Sequence, residues 1–381
     1  MPRIPLITQK DQLPPEHHAL FDQLAALRGR VSGPSTIVLH SPALAGSWNQ
    51  QSEFLHANSV VDHRSSELAI IATARARDCG YIWNAHVNAA RTAGASEAAI
   101  AAARDNRPLD GLPEAEAAPI AYARELQQTN RISQATFDRM RKGHDARWLV
   151  ELTTFSGRYA ALAGLLNACE VAPAGGAEVL PVPSANPPLP RLGTAPAAEP
   201  RVPAILSKAD MAAEYSGLFD AASEGRPYVR GPYRMLLYSP GLCRTVLDVS
   251  AYLRRGGLVA QNPGELAIIA TAREKDCPYV WAAHAPAARR AGISEAAVAA
   301  VRDRSAIEGL GPIERDIVDY VRQLLRTNRV EQGLFDRMAE RHGIPWLVEM
   351  TALMGHYGIV TSILNAFEIA PAPDADKLPL P

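Results

Sequence analysis

The alternation of hydrophobic and polar positions along the chain is helical from end to end. Alanine-rich apolar segments, with none of the β-branched alternation of a half-buried strand, predict helices over 67–78, 81–93, 115–129, 134–142 and 148–169, with Ser96 capping a further one. Ser65 or Ser66 can cap the first, a break falls at Cys79-Gly80, and Gly94 stops the next. Gly157 and Gly164 lie inside the last as points of close packing. The predicted fold class is all-α, a helical bundle.

The pattern recurs at a constant offset of 198 residues. Glu67-Leu-Ala-Ile-Ile-Ala-Thr-Ala-Arg75 returns as Glu265-Leu-Ala-Ile-Ile-Ala-Thr-Ala-Arg273, and Trp148-Leu-Val-Glu151 as Trp346-Leu-Val-Glu349. Leu20-Phe21-Asp22 likewise maps onto Leu218-Phe219-Asp220. No insertion interrupts the match, so the chain divides into two tandem copies, 1–172 and 205–381, joined by residues 173–204. Nine prolines between 171 and 204 exclude a helix or central strand there and predict an extended, semi-rigid strap that links the domains and wraps one of them.

Composition narrows the function classes. With 47% apolar and 21% charged residues among 381, the chain can bury a core in each half and is not disordered. A formal charge of −1 offers no basic field for a phosphate backbone, which argues against a nucleic-acid partner. Four cysteines (Cys79, Cys169, Cys243, Cys277) without a CxxC pair do not make a disulfide scaffold. The first ten residues hold Pro2 and Pro5 and no apolar core of signal-peptide length, and apolar stretches such as Leu68 to Ala74 are short of a membrane span. A cytoplasmic location without membrane attachment is expected.

The chemistry gathers around the break. Glu67, Cys79, Tyr81, Trp83 and His86 recur as Glu265, Cys277, Tyr279, Trp281 and His284. Pro278 follows Cys277, and proline favours the first helical position, which makes both cysteines helix N-caps. A thiol there feels the positive end of the helix dipole and is expected to ionise readily. His86 lies about 10 Å along the second helix and Glu67 about 18 Å back along the first. If the two helices fold as an antiparallel hairpin, carboxylate and imidazole come within reach, directly or through one water, as a proton relay.

With Tyr-x-Trp-x-x-His embedded between the Glu and the second-helix His, this layout resembles the carboxymuconolactone decarboxylase and alkylhydroperoxidase-D-like superfamily. The resemblance implies domains of about six helices that assemble through the hairpin region into trimers or hexamers. For a duplicated chain it suggests a homo-oligomer, either a trimer with pseudo-sixfold symmetry or a dimer. One departure separates the branches: peroxidase members place a second cysteine where this chain has Ile82 and Val280. Turnover of hydroperoxides by that route is therefore not expected, whereas the decarboxylase branch needs no cysteine pair.

The catalytic candidates are thus Glu67, Cys79, His86, Glu265, Cys277 and His284. Tyr81, Trp83, Tyr279 and Trp281 are candidate substrate contacts, with packing as the competing role. Arg75 and Arg273 could anchor a substrate carboxylate or stand at the surface. The later pairs His144/His342, Glu151/Glu349 and Tyr159/Tyr357 fit core and cap roles, although Glu151 and Tyr159 lie on similar helix faces and could line a pocket. No HxxxH, CxxC, GxGxxG or GxxxxGK[ST] motif occurs, so neither metal nor nucleotide cofactor is expected. The copies differ at His40/Tyr238, His63/Gln261 and Arg158/His356, so their pockets need not be equivalent. The expected function is a cofactor-independent lyase acting on a small lactone, keto acid or related carbon acid. The alternatives are a thiol-dependent hydroperoxide reductase and a non-catalytic helical scaffold.

Overall fold

A computed structural model describes residues 1–26, 29–173, 178–191, 196–197, 199–226 and 228–380. The first copy runs α1 (His18–Ala26), α2 (Ser35–Val38), α3 (Pro42–Ala57), α4 (His63–Ala76), α5 (Gly80–Thr92), α6 (Glu97–Asp105), α7 (Glu114–Thr129), α8 (Gln134–Arg141) and α9 (Ala146–Ala168). The second repeats that order as α10 (Ser216–Ser223), α11 (Tyr233–Leu236), α12 (Pro240–Ala251), α13 (Gln261–Glu274), α14 (Pro278–Arg290), α15 (Glu295–Asp303), α16 (Pro312–Thr327), α17 (Gln332–His342) and α18 (Ile344–Ala366). A π-helical turn, Tyr252–Gly256, extends α12. No strand occurs among the described residues.

Helix α4 begins earlier than the pattern predicts. Asp62, not Ser65 or Ser66, is its N-cap and accepts the Ser65 amide at 3.0 Å. Glu67 therefore sits in the second turn, deeper in the protein than a first-turn carboxylate. Asp78 takes a left-handed conformation (φ 46°) that ends the helix, and Cys79 caps α5. Asp276 (φ 47°) and Cys277 repeat the device. Ser96 caps α6 as predicted, accepting the Ala99 amide at 3.1 Å.

The two copies pack against each other through α9 on α18 and α3 on α12. Small residues allow this: a Cβ on Gly157 would come 3.1 Å from the Ile359 backbone, and one on Gly355 would meet Ala161 at 2.7 Å. The seam is reciprocal. Ser239 of the second copy donates to Glu151 of the first at 2.6 Å, and Ser41 of the first donates to Glu349 of the second at 2.6 Å. Glu151 and Glu349 therefore join the domains, while Tyr159, two turns on from Glu151, faces a cavity. Helix α18 is long and apolar enough to cross a membrane by length and composition, longer than the short runs noted in the sequence, but 89% of that window is buried inside the protein. A helix apolar all round is what a core position demands.

The strap follows the described parts of 178–191 without regular structure; of the predicted linker, 174–177, 192–195 and 198 lie outside the described residues. Arg75 determines its course. The side chain is 2% exposed and donates to the Pro181 carbonyl and the Asp78 carboxylate. Arg273 donates in the same way to Pro379 in the C-terminal tail. These two arginines are buried rather than at the surface. They tie proline-rich segments across the helix ends, about 12 Å along α4 or α13 from the glutamates.

Candidate active site

The α4–α5 hairpin brings Glu67 and His86 into direct contact: His86 Nδ1 donates to Glu67 Oε2 at 2.9 Å. In α13–α14 the equivalent bond, His284 Nδ1 to Glu265 Oε2, is 2.7 Å. Both pairs are largely shielded, with side-chain exposures of 14% and 11% for His86 and Glu67. A carboxylate on Nδ1 fixes the tautomer and ring orientation and directs Nε2 toward whatever occupies the adjoining space.

In the first domain that space is a cavity of about 370 Å³. His56, Tyr81, Ile82, His86, Arg158 and Tyr159 form its reactive end, and Leu24, Val38 and Leu162 supply apolar wall. Ile82, where a second cysteine would stand in a peroxidase, presents only hydrocarbon. Tyr159 lies edge-on to His86 with ring centroids 4.8 Å apart, and its hydroxyl pairs with His56 Nε2 at 2.8 Å. Arg158 is buried over the Trp48 ring, 4.6 Å from its centroid. Its Nη2 donates to the Trp48 carbonyl and Ser52 hydroxyl, both at 2.9 Å, while Nε has no partner among the described residues. Burial pushes this guanidinium down to about 9, a cation whose charge is poorly solvated and open to an anionic guest.

The second domain has the same pair in different surroundings. Arg254 replaces His56, Tyr233 replaces Ser35, Leu247 replaces Asn49 and His356 replaces Arg158. The Tyr233 ring packs on the core, with its hydroxyl toward Ser250, the counterpart of the cavity residue Ser52. His284 Nε2 is taken by the Tyr357 hydroxyl at 3.2 Å. His356 is buried and neutral, its pKa pushed down to about 3 by burial and by the charge of Arg254.

The other sequence candidates divide. Tyr81 lines the cavity, against Gly33. Tyr279 instead accepts the Gly231 amide at 2.8 Å. Trp83 and Trp281 are fully buried, and Trp83 does not line the cavity; Trp281 Nε1 donates to Asp376 in the C-terminal tail at 3.2 Å. Cys79 and Cys277 occupy the predicted N-caps, yet their thiols are pushed up to about 11. Burial is the largest effect and outweighs the lowering by the amides at the helix start, so the expected easy ionisation is absent. All four cysteines are free and buried. His144 and His342 stack on Trp148 and Trp346.

Sequence reasoning did not pick out His56, Arg158 or Tyr159 as one site, because α3, α5 and α9 meet only in three dimensions. A partial signal existed in the Arg158/His356 mismatch between otherwise matching copies. Among the described residues no group of three or more His, Cys, Asp or Glu side chains is arranged to hold a metal.

The model of the carboxymuconolactone decarboxylase family matches residues 42–125 and 244–323. These segments span α3–α7 and most of their counterparts α12–α16, and each includes a Glu/His hairpin. A search of curated proteins finds no match to the chain.

Proposed function

We propose, for a chain that belongs in both halves to the carboxymuconolactone decarboxylase family, that its first domain is a lyase removing carbon dioxide from a small carbon acid. The observation that carries this is the cavity of about 370 Å³ that is lined both by His86, already oriented by Glu67, and by the buried cation Arg158. Decarboxylation needs an electron sink, a carbonyl conjugated to the carbon that bears the carboxylate. When the bond to the carboxyl carbon breaks, its electron pair moves into that conjugated system and onto the carbonyl oxygen, and carbon dioxide leaves.

Arg158 stabilises the resulting oxyanion in a site of low dielectric, where a fixed cation counts for most. His86 then delivers a proton from Nε2 to the carbon, and Glu67 steadies the imidazole in both charge states. Isomerisation or ring opening of a lactone would use the same transfers. The second domain, with His284 Nε2 engaged by Tyr357, serves as scaffold.

The test is a mass-spectrometric screen of small lactones, keto acids and hydroxy acids for loss of carbon dioxide. It is run in deuterated water beside His86→Ala and His284→Ala. Support is mass loss with one deuterium gained at carbon, abolished in His86→Ala. Turnover unaffected in His86→Ala would remove His86 from the chemistry and with it the proposal, and no compound consumed would favour a helical scaffold. The thiol-dependent alternative has no support in the buried, protonated cysteines.

A further inference from the structure

We propose that the seam between the two domains, beneath the proline-rich strap, binds a small multiply charged oxyanion through Lys275, Arg77 and Arg191. The site is a cavity of about 530 Å³ walled by both domains and by strap residues 182–191. Arg77 and Lys275 are equivalent positions in the repeat, so each domain carries its own cation to the shared seam. Arg191 comes from the strap and closes the third side.

Lys275 is the informative residue. It is only 6% exposed, borders the cavity, and its ammonium has neither hydrogen bond nor ion pair among the described residues. Its backbone is fixed: Asn365 donates to the Lys275 carbonyl at 2.8 Å, as Asn167 does to the Arg77 carbonyl at 2.8 Å. The Arg77 guanidinium is also held, its Nη2 donating to the Gln127 carbonyl at 3.3 Å and to Gln127 Oε1 at 2.7 Å, so this cation is preorganised rather than free to swing into water. The two acids on the walls are already occupied, Asp78 by Arg75 and Glu274 by Arg326. Asp276 meets Arg191 at 3.3 Å but is shared with Arg304 and Asn130.

Burial and then the charges of Arg77 and Arg191 hold the Lys275 ammonium well below the usual lysine range. Gathering like charges in a desolvated seam is unfavourable unless something neutralises them. A singly charged ion would offset only part of this charge. A phosphate group or a small dicarboxylate would offset more and could accept from several cations at once, the Gln127 and Asn328 amides being already committed to Ser156 at 2.9 Å and to the Ala76 carbonyl at 3.4 Å. The ligand would tie the strap to both domains at a place remote from His86, so this site and the proposed lyase activity stand or fall separately.

The experiment is calorimetric titration and thermal unfolding of the full chain with inorganic phosphate and with malonate, at ionic strength held constant by sodium chloride. Wild type, Lys275→Met and Arg191→Gln are compared. Saturable binding to wild type with a concentration-dependent rise in Tm is expected from at least one anion, and which one binds tells phosphate from dicarboxylate. Lys275→Met should weaken it at least about tenfold, the loss of one charge-assisted hydrogen bond. Its ligand-free Tm should be no lower than wild type, because a buried polar group without a partner has gone. Arg191→Gln should weaken binding with its ligand-free Tm near that of wild type. No saturable binding of either anion to wild type, or unchanged binding in both variants, would overturn the proposal.

Discussion

His284 Nε2 stands 3.2 Å from the Tyr357 hydroxyl, so the imidazole of the second domain is engaged at both nitrogens, Nδ1 being held by Glu265 at 2.7 Å. In the first domain the corresponding tyrosine hydroxyl pairs with His56 instead. One substitution between the copies, His56 against Arg254, thus accompanies a change in what the catalytic-type histidine can touch. His86→Ala should lower kcat about 10²- to 10⁴-fold, the usual worth of a general acid–base. Glu67→Gln should cost less, and His284→Ala should leave kcat within about twofold. Steady-state kinetics on any substrate from the screen provides the check, and equal losses from His86→Ala and His284→Ala would contradict the asymmetry.

Space leads to the same expectation as hydrogen bonding. Ser35 lines the first cavity where the second domain has Tyr233. Ser35→Tyr should fill that cavity and abolish turnover while the circular dichroism spectrum and Tm stay near wild type. A variant that still turns over at the wild-type rate would place the substrate elsewhere.

The cysteines offer a test that needs no substrate. Cys79 and Cys277 are 1% and 0% exposed with thiols pushed up to about 11. Below that value the thiolate is scarce and the sulfur is covered, so reaction with a disulfide reagent at pH 7.5 should follow unfolding and not precede it. Four thiols should titrate in denaturant and essentially none in the native protein. A fast native phase assigned to Cys79 or Cys277 by peptide mapping would restore the thiol-dependent mechanism.

Much of this molecule is legible in its sequence, for reasons that differ from residue to residue. The offset of 198 residues made two domains evident, because duplicated text needs no physics to recognise. Glu67 and His86 were legible as a pair because helical rise fixes their heights on two consecutive helices, and only the hairpin had to be supposed. Cys79 was placed correctly at its cap, but its chemistry was misjudged, since local dipole arguments say nothing about how much protein covers the sulfur. Arg75 was beyond local reasoning altogether, because its partner carbonyl, Pro181, lies 106 positions away in a strap without periodicity. Arg158 stayed hidden for the same cause, its partners Trp48 and Ser52 lying on a helix more than a hundred positions earlier.

That long-range arginine makes a stability prediction. Arg75→Ala removes the contact that holds the strap at Pro181 and leaves Asp78 without its cation. The expected loss is about 2–3 kcal/mol, as for hydrogen bonds to a charged group left unmade. Proteolysis of the strap should accelerate, and Arg75→Lys should rescue poorly because it cannot serve both acceptors in one plane. Denaturant unfolding with limited proteolysis measures both, and a strap as resistant as wild type in Arg75→Ala would refute the tether.

His356 connects burial to acid stability, and the sign can be worked out. In the folded chain its pKa is pushed down to about 3, first by burial and then by Arg254, whereas the unfolded chain protonates near the usual value of about 6.5. Between those limits the unfolded state binds one more proton than the native state, so the native state loses stability as pH falls from about 6.5 toward 3. The limiting slope for one such group is about 1.4 kcal/mol per pH unit. His356→Leu, which also removes a buried Nδ1 without a partner, should flatten that dependence by up to this amount while changing stability little above pH 7. Urea midpoints of wild type and variant at pH 7, 6, 5 and 4 isolate the contribution from carboxylates that titrate in both. Parallel curves would mean that His356 takes up its proton in the folded protein, which a side chain 2% exposed beside Arg254 has no solvent to support.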